Sequence, residues 1–86
     1  MIRERARYDY HNSTPVRTVS TSLRKLFAIM RHDRITQRIL ASAIGTDQKQ
    51  ISRYRRGAAA PSILRVEEMA DAMGYEVVFI RKEVRG

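Results

Sequence analysis

The twenty residues from Gln37 to Arg56 (QRILASAIGTDQKQISRYRR) constrain this chain more than any other feature, because two short helical patterns meet there across one glycine. Thr36 offers a side-chain oxygen to cap a helix whose apolar side is supplied by Ile39, Leu40, Ala43 and Ile44. Gly45 ends that helix, since glycine adopts the left-handed conformation of a helix C-terminus without a steric penalty. Two residues later Asp47 can cap a second helix, Gln48 to Arg55, on which Ile51 and Tyr54 lie three apart and face inward. Helix, tight turn and helix thus fit into about twenty residues.

The flanks continue the helical pattern. Leu23, Leu26, Phe27 and Met30 follow the i, i+3, i+4, i+7 spacing behind Ser and Thr cap candidates, which predicts a helix over about 20–32. After the loop Gly57-Ala58-Ala59-Ala60-Pro61, Ser62 precedes Val66, Met69, Ala70 and Met73 at the same spacing, which predicts a helix over 63–73 closed by Gly74. Tyr75 to Lys82 (YEVVFIRK) is rich in β-branched and aromatic residues, follows a glycine and reads as a strand. Residues 1–19 are rich in arginine and polar groups, with Pro15 after Asn12-Ser13-Thr14 and no apolar period. They read as a flexible basic arm, the alternative being an ordinary frayed terminus. The expected division is an arm over 1–19, a helical domain over 20–74, and a strand with a tail over 75–86. The expected fold is mainly α, a compact bundle of four or five helices plus one C-terminal β-strand.

With Ile51 and Tyr54 inward, Gln48, Lys49, Ser52, Arg53 and Arg56 lie on the opposite face of the second motif helix. That face carries cations, an amide and a hydroxyl but no acid. Gln pairs bidentately with adenine and Arg or Lys with guanine, so this chemistry suits a helix lying in the major groove. The bland alternative is a solvated helix face.

The charge of the chain supports a polyanionic partner. Seventeen Lys and Arg against nine Asp and Glu give a net charge of +8 on 86 residues, a length that holds one core. Residues 1–34 carry eight basic and three acidic groups and residues 35–58 five and one, whereas residues 59–86 carry four and five. The positive field therefore belongs to the first two thirds. The absence of cysteine excludes disulfides and cysteine-ligated metals, and no apolar run is long enough for a signal peptide or a membrane span, so a soluble, cytoplasmic protein is expected. The two histidines, His11 and His32, stand 21 positions apart with no acid–base pair beside them, so no catalytic residue, metal site or cofactor is expected. Glu67, Glu68 and Asp71 read as the solvated face of the last helix or, alternatively, as a partner-docking patch. Tyr8 and Tyr10, set among arginines, would suit base stacking.

The segment Gln37 to Arg56 resembles, without a gap, the helix-turn-helix of the phage repressor and Cro family, the xenobiotic-response-element type of regulator. Ala41 stands where the two helices approach closest, Gly45 makes the turn, and Leu40, Ile44, Ile51 and Tyr54 occupy the buried positions of that family. The resemblance runs through Gly57 and Pro61 and covers roughly residues 20–75, implying a lambda-repressor-like fold. It implies a transcriptional regulator, a repressor that occupies a double-stranded operator, with bases read by Gln48, Lys49, Ser52 and Arg53. Gln37 resembles the phosphate-contacting glutamine of the family, and Arg38 and Arg56 would add backbone contacts. One position departs: a common glutamate is replaced by Arg55, which is expected as a further backbone contact. Arg3, Arg5 and Arg7 alternate with short or polar residues as minor-groove arms do.

Both faces of the expected strand are apolar, Tyr75, Val77 and Phe79 on one and Val78 and Ile80 on the other, so a homodimer joined through residues 75–82 and a palindromic operator are expected. The competing arrangement pairs this strand with part of residues 1–19 within one chain. Two other functions fit the same pattern. One is an antitoxin that represses its own operon and meets a toxin through the acidic helix or the terminal strand. The other is a protein-interaction module that has kept the fold alone. An enzyme is the class with least support.

Overall fold

The computed structural model describes residues 16–82. Four helices follow one another: α1 (Thr21–His32), α2 (Gln37–Ile44), α3 (Gln48–Arg56) and α4 (Ile63–Ala72). Each begins in the same way. The side-chain oxygens of Ser20, Thr36, Asp47 and Ser62 accept the backbone N–H three residues on, from Leu23, Ile39, Gln50 and Arg65, at 3.0–3.2 Å. Each cap satisfies one of the four donors a helix start leaves open and is worth about 1 kcal/mol.

The ends are equally uniform. Behind each helix an N–H reaches back five residues to a carbonyl of the last turn: Ile35 to Met30, Thr46 to Ala41, Ala58 to Arg53 and Tyr75 to Ala70, at 2.8–2.9 Å. This six-to-one closure needs a left-handed residue just before the donor. Gly45 and Gly57 supply it behind α2 and α3, with φ of 74° and 79°. Behind α1 the position is held by Arg34 at φ 56°, the one non-glycine residue with positive φ among those described.

α2 packs against α3 and α4, and α1 against α3. Phe27, Met30, Leu40, Ile51 and Met69 are fully buried where the helices converge, with Leu23, Leu26, Ile35, Ala41, Tyr54, Val66 and Met73 around them. Ala41 is buried where α2 meets its neighbours, whereas Ala43, expected on the apolar side, is exposed. α2 buries the row 37, 40 and 41, and Ala43 falls on the far side of the helix. Long-range polar contacts lock the arrangement. Arg65 of α4 donates from Nη1 to the carbonyl of Ile44 at 3.3 Å, and the Tyr75 hydroxyl donates to Asp33 Oδ2 at 3.2 Å.

The fold is therefore mainly helical, but the expected C-terminal strand is not formed among the described residues. Residues 75–82 follow α4 without any regular element. A strand exists only as one side of a ladder, and no described segment offers the other side. In residues 16–19, the described part of the competing intrachain partner, the backbone N–H groups of Arg17 and Thr18 are bonded elsewhere, to Arg55 of α3. Val78, Phe79 and Ile80 remain 61%, 95% and 85% exposed. Between this segment and α1 lies an open hollow of about 270 Å³ walled by Lys25, Ile29, Met73, Val77 and Ile80.

Candidate nucleic-acid interface

α3 divides into two faces. Ile51, Tyr54 and Arg55 point into the body, while Lys49, Arg53 and Arg56 are exposed and Gln48 and Ser52 are half-buried beside them. All five side chains expected opposite Ile51 and Tyr54 thus lie away from the core. Asp47 caps the helix through Gln50, at the end of α3 opposite Arg53 and Arg56. Three cations in the last turn of α3 also interact favourably with the negative end of the helix dipole. On α2, Arg38 is exposed and adds a further cation to the surface of the motif.

Two expected backbone contacts are not presented. Gln37 and Arg55 are 2% and 3% exposed, so neither side chain stands where a phosphate would meet it. The guanidinium of Arg55 instead lies over the Phe27 ring, 5.5 Å from its centroid, a cation–π contact worth about 2 kcal/mol when desolvated. The helical period carried this signal. Residues 51, 54 and 55 stand at i, i+3 and i+4, and 37, 40, 41 and 44 follow the same template, so spacing places both polar side chains inward. The family resemblance of Gln37 and the charge of Arg55 had suggested the opposite.

A further connection was not legible in the pattern. The backbone N–H groups of Arg17 and Thr18 donate to the carbonyl of Arg55 at 2.8 and 3.2 Å, so the segment before α1 closes off the end of α3. Thr18 is buried, and its Oγ1 accepts the N–H of Ser20 at 3.3 Å. Gly57 allows the close approach, for a Cβ there would lie 3.2 Å from the Arg17 carbonyl oxygen. The expected arm residues Arg3, Arg5 and Arg7 lie outside the described residues.

Two short helices joined by a glycine turn, the second with a buried apolar side and a cationic outer side, define a DNA-binding regulator of the helix-turn-helix class. A family model described as helix-turn-helix matches residues 26–80, more than half of the chain. This protein belongs to that family, in its Cro and C1 type. No curated protein and no solved structure matches the chain. No helix among the described residues is long and apolar enough to cross a membrane.

Proposed function

We propose that this protein represses transcription by occupying a specific duplex operator, with α3 in the major groove. The observation that carries the reading is the outer face of α3, where Lys49, Arg53 and Arg56 are exposed beside Gln48 and Ser52 and no acid intervenes. Gln48, Lys49, Ser52 and Arg53 read bases, while Arg38 and Arg56 engage the phosphates that flank them. Selection of bound sequences from a random duplex pool at stated salt is expected to return a consensus. Alanine at Gln48, Lys49 or Arg53 is then expected to cost about 1–3 kcal/mol on that consensus and to relax preference at one or two base pairs. Equal weakening on every sequence would leave phosphate contact alone and overturn base reading.

The same reading includes a homodimer. Val78, Phe79 and Ile80 expose a run of large apolar side chains with no partner strand among the described residues, and the same run in a second copy supplies one. A two-fold pair would set two copies of α3 about 34 Å apart, one turn of DNA, and so call for a palindromic site.

The antitoxin reading is favoured by a different surface. The outer side of α4 and the following segment form a hollow of about 390 Å³ in which Leu64 and Tyr75 are interspersed with Glu67, Glu68, Asp71 and Glu76. This acidic and apolar face of a cationic protein suits a basic protein partner. Under that reading Glu67→Lys with Glu68→Lys abolishes toxin neutralisation on co-expression and leaves operator binding intact; retained neutralisation removes the role of this face.

A further inference from the structure

α1 carries a charged surface that the proposed operator site does not use. Leu23, Leu26, Phe27 and Met30 form its buried side. The helical period turns Arg24, Lys25, Ala28 and Arg31 away from the core, and all four are exposed. The helix contains no acid, and none of these three cations forms an ion pair among the described residues. Folding does not account for all of them. Arg31 lies in the last turn, where the helix dipole favours a cation, but Arg24 closes the first turn, where the dipole disfavours one.

The partner this stripe fits is a phosphate backbone. A protein interface is centred on buried aromatic or aliphatic anchors, and the one apolar side chain within the stripe is Ala28. Phosphate contact needs cations and carries no sequence information. Arg24 and Arg31 stand seven residues apart, about 10 Å along the helix. Duplex DNA presents about one charge per 1.7 Å of its axis, hence about six over that length. α1 and α3 pack through their buried sides, with Phe27 of one meeting Arg55 of the other. Their exposed sides therefore turn away from one another, and a duplex seated on α3 leaves the stripe on α1 open. From this placement we propose that Arg24, Lys25 and Arg31 form a second duplex-binding surface, which grips the backbone of another DNA segment without reading it while α3 holds the operator. One protein then bridges two segments. The inference rests on the operator binding proposed for α3 and adds to it a site with no sequence preference. Where two segments lie on one DNA molecule, the second is met at high effective concentration, so contacts that hold free DNA weakly still close the bridge.

The test immobilises the selected consensus duplex, saturates it with the full chain and measures capture of a labelled duplex that lacks the consensus, across a salt series. The intact chain is expected to capture it, and capture is expected to fall steeply as salt rises. Arg24→Gln with Lys25→Gln and Arg31→Gln removes the charges with a residue of similar helix propensity. This variant is expected to lose capture several-fold and to keep its affinity for an isolated consensus duplex at physiological salt, where charges beyond about 8 Å are screened. Ala28→Glu keeps every cation and sets an acid among them; it is expected to lower capture too, and decides the matter if the triple variant does not fold. No capture by the intact chain, or capture that persists in the folded variants, would overturn the second surface. An equal loss of affinity for the isolated consensus duplex would put α1 on the same DNA as α3 and overturn the bridge. Polyglutamate that competes as well as unlabelled duplex at equal charge concentration would reassign the stripe to an acidic protein. Each of these results leaves operator binding standing, whereas an intact chain that selects no consensus overturns the operator reading and the bridge together.

Discussion

Arg55 shows how one residue can tie two parts of a structure at once, one through its side chain and one through its backbone. Its guanidinium lies over Phe27 and its carbonyl receives the chain entering before α1. A buried arginine contributes packing along its methylene stem as well as charge. Arg55→Ala is therefore expected to lower unfolding free energy by about 2 kcal/mol, the worth of a desolvated cation–π contact. Urea unfolding followed by circular dichroism measures this. A variant of unchanged stability but weakened DNA binding would return Arg55 to the surface role first expected of it. The inward positions of Arg55 and Gln37 were legible from helical period, but Arg55 was read outward from its charge and Gln37 from its family resemblance. By contrast the outward positions of Lys49, Arg53 and Arg56 followed from period and polarity together, and the structure places them outside.

The helices owe their limits to local chemistry. Each starts at a Ser, Thr or Asp whose oxygen takes the N–H three residues on, and each closes through a left-handed residue followed by a six-to-one bond. Because these contacts span at most six residues, the caps at Thr36, Asp47 and Ser62 and the stop at Gly45 could all be placed from the pattern. The end of α1 falls at His32, where the spacing put it, but the left-handed residue behind it was not legible, since Arg34 occupies a position that glycine usually marks. The left-handed conformation costs a side-chain-bearing residue about 1 kcal/mol or more. Arg34 is exposed, so Arg34→Gly is expected to relieve that strain without loss of packing and to stabilise the fold by about 0.5–1 kcal/mol. In a domain this small, a gain of 1 kcal/mol raises the melting temperature by roughly 4–8 °C. A melting temperature that falls would mean that the Arg34 side chain contributes more than its backbone conformation costs.

At the scale of the whole molecule, the segment after α4 is the feature that a single copy leaves incomplete. Tyr75 is tied to Asp33 at the end of α1, yet Val78, Phe79 and Ile80 stand in solvent. Burying one such side chain is worth about 1.5–3 kcal/mol, so a second copy that covers several of them in each chain has a substantial driving force. Sedimentation of the intact chain at micromolar concentration is expected to give a dimer, and Val78→Asp with Ile80→Asp a folded monomer with weakened operator binding. A monomeric parent, or a variant that stays dimeric, would remove the dimer and with it the argument for a palindromic site.

Local pattern was enough to place the starting caps of α2, α3 and α4 and the turn between α2 and α3, whereas it left the helix count at four or five and the cap of α1 unassigned among several Ser and Thr residues. It also determined which side of α3 is cationic, because each feature so placed depends on residues within one or two helical turns. Tertiary structure decided what depends on partners distant in the chain. It brought Arg55 over the ring of Phe27, 28 residues away, joined Arg17 and Thr18 to the end of α3, and linked Tyr75 to Asp33. It also left the apolar run after Gly74 without the strand its composition suggests. A helix closes its hydrogen bonds within its own segment, so local pattern suffices to define it. A strand or a buried cation needs a surface that another part of the chain, or another chain, must supply.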